Sequence, residues 1–494
     1  MIDAIELQLA TGALRAACEE MAGVLVRSAH SSNIKERRDA STALFDGDGQ
    51  MVMQGEAIPV HLGAMPAALE AVIDEARRQD GVSWILNDPF AGGTHLPDIT
   101  VVTPAFHGAA LVGFAVSRAH HADVGGRLPG SMPADSRTLQ EEGVVISPQV
   151  LDEDSLARLT AAMRQPQERR ADLRAQLAAN RVGCARLSVL AELLGHDGLR
   201  EATDAVLDYC ERRTRACIAA LPDGVREASD VLEGASEDLA LRLRAEVRGE
   251  CVTLDFSGSA GQHDGNLNCP LAVTRSACLF ALRVLTDPDV PPTAGAYRPL
   301  RLTVPPGSLL NAGPGAAVAA GNVETSSRVA DLVLSAFGRA QGQGTMNNLT
   351  LGNESFSYYE TLGGGQGACA DGDGPSGVHV AMSNTLNTPV EALEREFPLR
   401  VLAYAVRRGS GGEGRHRGGD GVVRELQALT GMSYSLIAER RRHAPAGADG
   451  GGAGAPGRDL LDGEPLQGKA TGTLAAGGRI RIETPGGGGF GRAR

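Results

Sequence analysis

Aromatic residues make up only 3% of this 494-residue chain, with a single tryptophan, so its interior has to be built from Leu, Val and Ala. No apolar run approaches the roughly 18 residues that cross a bilayer. The opening MIDAIELQLATG lacks the basic start and apolar core of a secretory signal, which makes the cytoplasm the expected location and a membrane partner unexpected. No basic stripe with interleaved aromatics occurs, and a net charge of −13 opposes binding to a phosphate backbone, so no nucleic-acid partner is expected. The eight cysteines include no Cys-x-x-Cys pair and read as buried reduced thiols, without a zinc ribbon or a disulfide framework. There is no Gly-x-Ser-x-Gly nucleophile elbow. GGGGFG near the C-terminus lacks the Gly-Lys-Ser/Thr of a phosphate cradle and reads as a terminal loop, so any ATP chemistry has to come from elsewhere.

What is present is an abundance of glycine, 64 residues, which points to many tight turns. The length exceeds one compact core, and roughly two to four domains are expected. Leu7, Leu14, Cys18, Met21 and Leu25 mark one face of a helix over 3–30. ALFDGDGQMVMQ predicts a hairpin turning through Asp46 to Gly49, and ITVVTPAF (99–106) with ALVGFAVSRA (110–119) predicts a second. Residues 167–220 are helical in pattern, with Leu173, Leu177, Cys184, Leu187, Leu190 and Leu194 on a stripe and a second helix over 198–219, ending at LPDG. Alternation from Leu239 to Phe256 predicts another hairpin, and helices follow at 272–286 and 324–340. Beyond 343 the chain is glycine-rich with short strands, GADGGGAGAPG (447–457) reads as flexible loop, and no repeat period is found. The expected fold class is α+β, several subdomains of antiparallel hairpins and sheets around a central helical section. The expected divisions are 1–150, a metal-site region; 151–222, helical; 223–342, α+β; and 343–494, glycine-rich and β-containing.

The chemistry gathers at NDPFAGGTHLPDITVV (87–102) and RAHHADVGG (118–126). If the second hairpin turns near residue 108, Asp98 faces the segment 118–120, and directly opposed side chains lie roughly 4.5–5.5 Å apart. His95, Asp98 and a histidine from 120–121 then converge at the hairpin root. Successive strand residues point to opposite faces, so only one of His120 and His121 joins, and the turn length that decides between them is not legible in sequence. Two imidazoles and a carboxylate suit a divalent transition metal with open positions. The competing reading makes His95 a loop cap and His120 a hydrogen-bonded core residue.

NIKERRDAS, NDPFAGGTHLPD, AHHADVGG with PGSM after it, DFSG, NVETSSR, GTMNN, NTPVEALE, GGDGVVRE and TPGGGGFG resemble, in order, the signatures of the hydantoinase B/oxoprolinase family, over about residues 3–491. The resemblance implies one subunit of an ATP-dependent enzyme. A hydantoinase A-type ATPase partner phosphorylates a carbonyl oxygen of a cyclic amide such as 5-oxoproline or N-methylhydantoin, while related carboxylases attach bicarbonate to ketones. It implies a hetero-oligomer with two or more copies of each subunit and one divalent metal, zinc ahead of manganese and iron. It assigns the metal to Asp39, His95, Asp98 and His120, with His121 and Asp123 lining the site. In the reaction so implied, metal-bound water attacks the phosphorylated carbon and Asp98 or Asp123 accepts its proton. The compact chain and the lack of a fused ATPase half favour a separate partner and hydrolysis over carboxylation, and Thr293 stands where the family pattern leads one to expect asparagine. The rivals are a carboxylase subunit, a non-catalytic scaffold, and a metal amidase that needs no ATP.

Overall fold

The computed structural model describes residues 2–55 and 58–493. It is an α+β molecule whose described strands form four sheets, antiparallel apart from one pair. The first sheet has six strands, in the order β2-β1-β5-β4-β3-β6. They are β1 (Ala40–Phe45), β2 (Met51–Gln54), β3 (Trp84–Leu86), β4 (Asp98–His107), β5 (Ala110–His120) and β6 (Gln149–Val150). Both predicted hairpins form, β1 with β2 and β4 with β5. Side-chain alternation gives the sheet two buried faces. Ala105, Ala115 and Ala119 face the helices with Leu14, Cys18, Met21, Leu25 and Leu187, whereas Phe45, Val102, Phe114 and Val116 pack against Met65 and Leu69.

The N-terminal helix, Ala4–Ser28, starts at a capping box in which the Asp3 carboxylate accepts the Glu6 N–H and Glu6 reaches back to Asp3. The long helix Pro166–Ala219 is interrupted at Gly195, with φ 73°, close to the expected division into two. Leu194 departs from its expected place on the buried stripe: it is 47% exposed, because that stripe leaves the sheet just before the break. Thr293 is buried and caps the next turn, its hydroxyl accepting the Ala296 N–H at 3.2 Å.

A second sheet of four strands, β7 (Gly224–Glu233), β8 (Asp238–Arg248), β9 (Cys251–Asp255) and β10 (Leu300–Thr303), includes the expected hairpin and packs on the helices Leu271–Leu285 and Ser326–Ala336. The latter helix begins earlier than its pattern suggests, through a π-helical turn at Gly321–Thr325. Two further sheets stack face to face near the C-terminus. One holds β11 (Asn348–Asn353), β12 (Phe356–Glu360), β15 (Met432–Ile437) and β18 (Lys469–Leu474). The other holds β13 (Leu399–Arg407), β14 (Gly421–Ala428), β16 (Arg458–Leu461), β17 (Glu464–Leu466) and β19 (Arg479–Glu483). Leu349, Tyr358, Leu426, Leu436 and Ile480 fill the layer between them.

The tract 447–457 is not the flexible loop its composition suggested. Gly452 donates to Glu413 O, Gly454 to Pro445 O and Gly457 to Arg440 O, and the tract lies against the equally bonded Gly486–Gly489. Absence of side chains lets these backbones approach closely enough to bond sideways, so low complexity here encodes packing.

Candidate metal centre

Residues 87–98 form a tight loop because its polar side chains are spent on its own backbone. The Asn87 amide donates to Leu96 O at 2.8 Å and Val144 O at 3.0 Å, while its oxygen accepts the Ile146 N–H at 2.6 Å. Asp88 accepts the Phe90 N–H at 2.9 Å. Gly92 has φ 91°, and a Cβ there would lie 2.4 Å from the Ala67 backbone, so no larger residue fits. The loop is thereby pressed onto residues 64–68 and delivers Thr94, His95 and Asp98 to the start of β4.

Strands β4 and β5 pair with Asp98 directly opposite His120, within the segment 118–120 expected from the turn, and this register settles what the unknown turn length left open. His95 Nδ1 lies 3.0 Å from Asp98 Oδ2, and His120 Nδ1 lies 3.3 Å from Asp98 Oδ1. One ligand atom from each of His95, Asp98 and His120 falls within 4.8 Å of the others. A cation bound at roughly 2.0–2.2 Å requires ligand atoms about 3.4 Å apart in a tetrahedron, so a small contraction of this group would hold one. The donor set and its unmet valences fit such an ion. Among the described residues neither His95 nitrogen finds a well-aligned hydrogen-bond partner, nor does His120 Nε2, although all three are buried. Leaving such atoms unpaired costs about 1–3 kcal/mol each.

The electrostatics agree. Burial works to raise the Asp98 carboxyl, yet His95, His120 and His61 around it hold it well below the usual carboxylate range. Burial lowers the basicity of His120, only partly opposed by Asp98 and Asp39, so the ring is neutral and keeps a lone pair for a ligand.

The other expected site residues are placed differently. Asp39 is buried beside the group and its carbonyl accepts the His120 N–H at 3.0 Å; its charge supports His120, but it lies outside the ligand-spaced trio. Arg38, at φ 55°, turns the chain between Arg37 and Asp39. His121 follows His120 and so faces the other way, toward the long helix, with Nε2 3.0 Å from Gln176 Oε1. Burial, against the pull of Asp172, pushes its pKa down to about 4. Its Nδ1 is also unpaired, but it belongs to no ligand-spaced group among the described residues. Asp123 ties down its own loop, accepting from the N–H groups of Gly125 and Gly130 at 2.7 and 2.8 Å and from the Arg164 guanidinium at 3.1 Å. His121→Ala is therefore expected to leave metal content unchanged while lowering stability by about 1–3 kcal/mol in denaturant unfolding, because Gln176 Oε1 loses its partner. Loss of metal on that substitution would return His121 to the centre.

Several contributors had no signal in the spacing. His61, in the apolar run IPVHLGAM, bridges Ser41 Oγ at 2.7 Å and Asp98 Oδ2 at 3.3 Å, and Thr94 donates to the same Oδ2 at 2.5 Å. A lone histidine within an apolar run was the available clue. Tyr359 stacks on His120 with centroids 4.4 Å apart and planes 11° apart. Alternation along β12 sends Tyr358 into the core between the C-terminal sheets and Tyr359 toward the centre. Arg37 lies over the Tyr359 ring, 4.7 Å from its centroid, and donates to Tyr359 O at 3.0 Å, which fixes the C-terminal strands against the N-terminal loop.

Comparison with known proteins gives a consistent result. The sequence model of the hydantoinase B/oxoprolinase family matches residues 3–493. The chain is 37% identical to 5-oxoprolinase 1 of Arabidopsis thaliana across 99% of its length, and spans 42% of the length of that relative. It is 31% identical to the B-type subunit of a putative D-/L-hydantoinase from a Pseudomonas strain, across 91% of this chain and 82% of that one. The ATP-dependent caprolactamase of Pseudomonas jessenii superposes with a TM-score of 0.92 at 28% identity, covering 100% of this chain and 92% of that one. An acetone carboxylase in its nucleotide-free state shares the fold, with a TM-score of 0.89 at 18% identity, covering 99% and 75%.

Proposed function

Because the chain belongs to the hydantoinase B/oxoprolinase family, we propose that it is the metal-bearing B-type subunit of an ATP-dependent enzyme that opens cyclic amides. The reading rests on one observation, the buried trio His95, Asp98 and His120 with ligand-type nitrogens left unpaired. His95, Asp98 and His120 would hold the ion, with Asp39 beside them, and the His/Asp donor set suits zinc, manganese or iron. When bound, such an ion supplies Lewis-acid polarisation and activation of water.

The chain's own residues set the conditions. His61 and Thr94 orient Asp98 from behind, as outer partners orient metal ligands generally. The stacked Tyr359 fixes the plane of His120 and shields it from solvent. Asp98, held well below the usual range, is a poor proton acceptor near neutral pH and serves as a ligand, since an efficient base has a pKa near the working pH. Asp123, with both oxygens engaged, is likewise a loop tie.

Amide resonance makes a lactam carbon a weak electrophile, and phosphorylation of its oxygen removes that protection. In this reading an A-type ATPase partner performs the phosphorylation; the Pseudomonas relative, itself named as a B-type hydantoinase subunit, supports such a partner, and the caprolactamase supports a cyclic-amide substrate. The test is to purify this chain together with a hydantoinase A-type ATPase subunit and follow ATP hydrolysis and ring opening over a panel of lactams, imides and hydantoins. At least one cyclic amide is expected to stimulate both. Bicarbonate-dependent carboxylation of a ketone with no response to any cyclic amide would overturn the reading, as would turnover by this chain alone without ATP.

A further inference from the structure

A cavity of about 580 Å³ opens between the N-terminal helix, the start of β1 and the segment 384–386, large enough for a small ring and its substituents. Its wall includes Arg27, Arg37, Arg38, Ser41 and Glu19. Three guanidiniums thus meet one carboxylate, in a chain whose net charge is −13. The cavity adjoins the metal-type trio. Arg38 and Ala40 on its wall bracket Asp39, whose carbonyl holds the His120 N–H at 3.0 Å. Ser41 Oγ lies 2.7 Å from His61 Nδ1, and His61 Nε2 lies 3.3 Å from Asp98 Oδ2. The Arg37 guanidinium lies over the Tyr359 ring, which in turn stacks on His120.

Arg37 stands apart from the other buried guanidiniums. Its described partners are all neutral: Nη1 donates to Tyr359 O at 3.0 Å, and Nη2 donates to the Thr361 and Thr385 hydroxyls at 2.9 and 3.2 Å. Its Nε–H finds no hydrogen-bond partner among the described residues. Arg328, Arg424 and Arg440, buried as deeply, each meet a carboxylate, at 2.8, 3.1 and 2.8 Å. Arg118 bonds Thr100 and Gly92 O and senses the nearby charge of Asp98. A buried charge is costly unless a counter-charge pairs with it. At the mouth of the cavity Arg38 and Arg27 are exposed. The left-handed backbone at Arg38, φ 55°, costs an L-residue strain and lets it face outward between buried Arg37 and Asp39. The Arg27 guanidinium folds back over Gly23, where a Cβ would lie 3.0 Å from Nη1.

We propose that this cavity is the subsite for an oxyanion carried by the substrate, with Arg37 as its buried counter-charge and Arg38 and Arg27 flanking it at the mouth. The proposal rests on the cyclic-amide reading above. Two groups have the required chemistry: a carboxylate beside the amide ring, and the phosphoryl group that ATP places on the amide oxygen. Either offers paired oxygens to the planar fork of a guanidinium, which binds such groups with directional, charge-assisted hydrogen bonds. Of the five N–H donors of Arg37, three go to Tyr359, Thr361 and Thr385, which leaves two for a ligand. An oxyanion held here anchors the ring beside Asp39 and the trio. The arginines therefore act on affinity and orientation, not on the bond that breaks.

The test is calorimetric titration of the purified chain with inorganic phosphate, with 5-oxoproline, and with 2-pyrrolidone, the same ring without its carboxylate. At least one of the two oxyanions is expected to bind more tightly than 2-pyrrolidone by roughly tenfold or more. Preference for 5-oxoproline assigns the subsite to a carboxylate, and preference for phosphate assigns it to the phosphoryl group. Arg38→Ala is expected to weaken binding of the preferred oxyanion roughly tenfold, the worth of one charge-assisted hydrogen bond, and Arg38→Lys to recover part of it. Arg27→Ala is expected to act in the same direction. Arg37→Lys keeps the charge but loses the fork, and is expected to weaken binding further. The exposed Arg38 carries the comparison if the Arg37 variant fails to fold. Metal content and 2-pyrrolidone affinity are expected to stay unchanged in the Arg38 variants, which separates the subsite from binding at the trio. Oxyanions that bind no better than 2-pyrrolidone, or that bind Arg38→Ala as tightly as the wild type, would overturn the proposal while leaving the cyclic-amide reading in place. A chain that binds an oxyanion through these arginines, in a complex that opens no cyclic amide, would remove that reading and overturn the assignment of the oxyanion to its substrate.

Discussion

With alanine at His120, the purified chain is expected to lose its metal and the reconstituted complex to lose ring opening by roughly a thousandfold. A bound cation contributes several kcal/mol to transition-state stabilisation, and each 1.36 kcal/mol is a tenfold change in rate. His120 contributes three things at once. Its Nε2 is an unpaired donor, its Nδ1 faces Asp98 Oδ1 at 3.3 Å, and its ring fills the space against Tyr359. Removal leaves Asp98 with the weaker enclosure of His95, His61 and Thr94. Metal analysis of the folded variant, beside His121→Ala as a control from the opposite face, separates loss of a ligand from general loosening. A His120→Ala chain that keeps both its metal and its rate would make the polar cluster a structural feature and the chain a scaffold.

The second large effect lies in the glycine-rich region. Gly487→Ala is expected to destabilise the chain by about 3 kcal/mol, seen as a lower midpoint in denaturant unfolding, with incomplete folding of a valine variant. A Cβ at Gly487 would lie 2.1 Å from Gln366 O and 2.3 Å from its carbonyl carbon. Both are backbone atoms that cannot swing aside, so the cost exceeds that of ordinary overpacking, typically 1–3 kcal/mol. The backbone segments around it cannot move independently. Gly487 donates to Gly419 O at 2.9 Å, its own carbonyl accepts from Gly412 at 2.8 Å, and Gly488 donates to Gln341 O at 2.8 Å. An alanine variant with unchanged stability would mean that these backbones separate readily.

Local pattern carried much of the first sheet. The spacing of Leu14, Cys18, Met21 and Leu25 marked the face that the N-terminal helix buries, and the turn between two β-branched runs set Asp98 opposite the segment that holds His120. Both follow from periodicities of 3.6 and 2, which act over a few residues. The choice between His120 and His121 was beyond that reach, because it depends on the exact register of one turn. The glycine tracts misled for a related reason. Low complexity ordinarily means a chain with nothing to bury, but here the buried surface is the backbone itself, and only partners from distant segments show that.

By itself, then, the amino-acid order determined the helix faces, the hairpins, the pairing of His95 and Asp98 with a histidine from the neighbouring strand, and membership in a family. Only the tertiary structure decided that His61 and Tyr359 frame the trio and that Asp123 is spent on its own loop. The physical reason is range. Turn chemistry and side-chain alternation act between near neighbours, whereas a buried polar centre is assembled from segments as distant as Asp39 and Tyr359, whose meeting is set by how whole sheets pack.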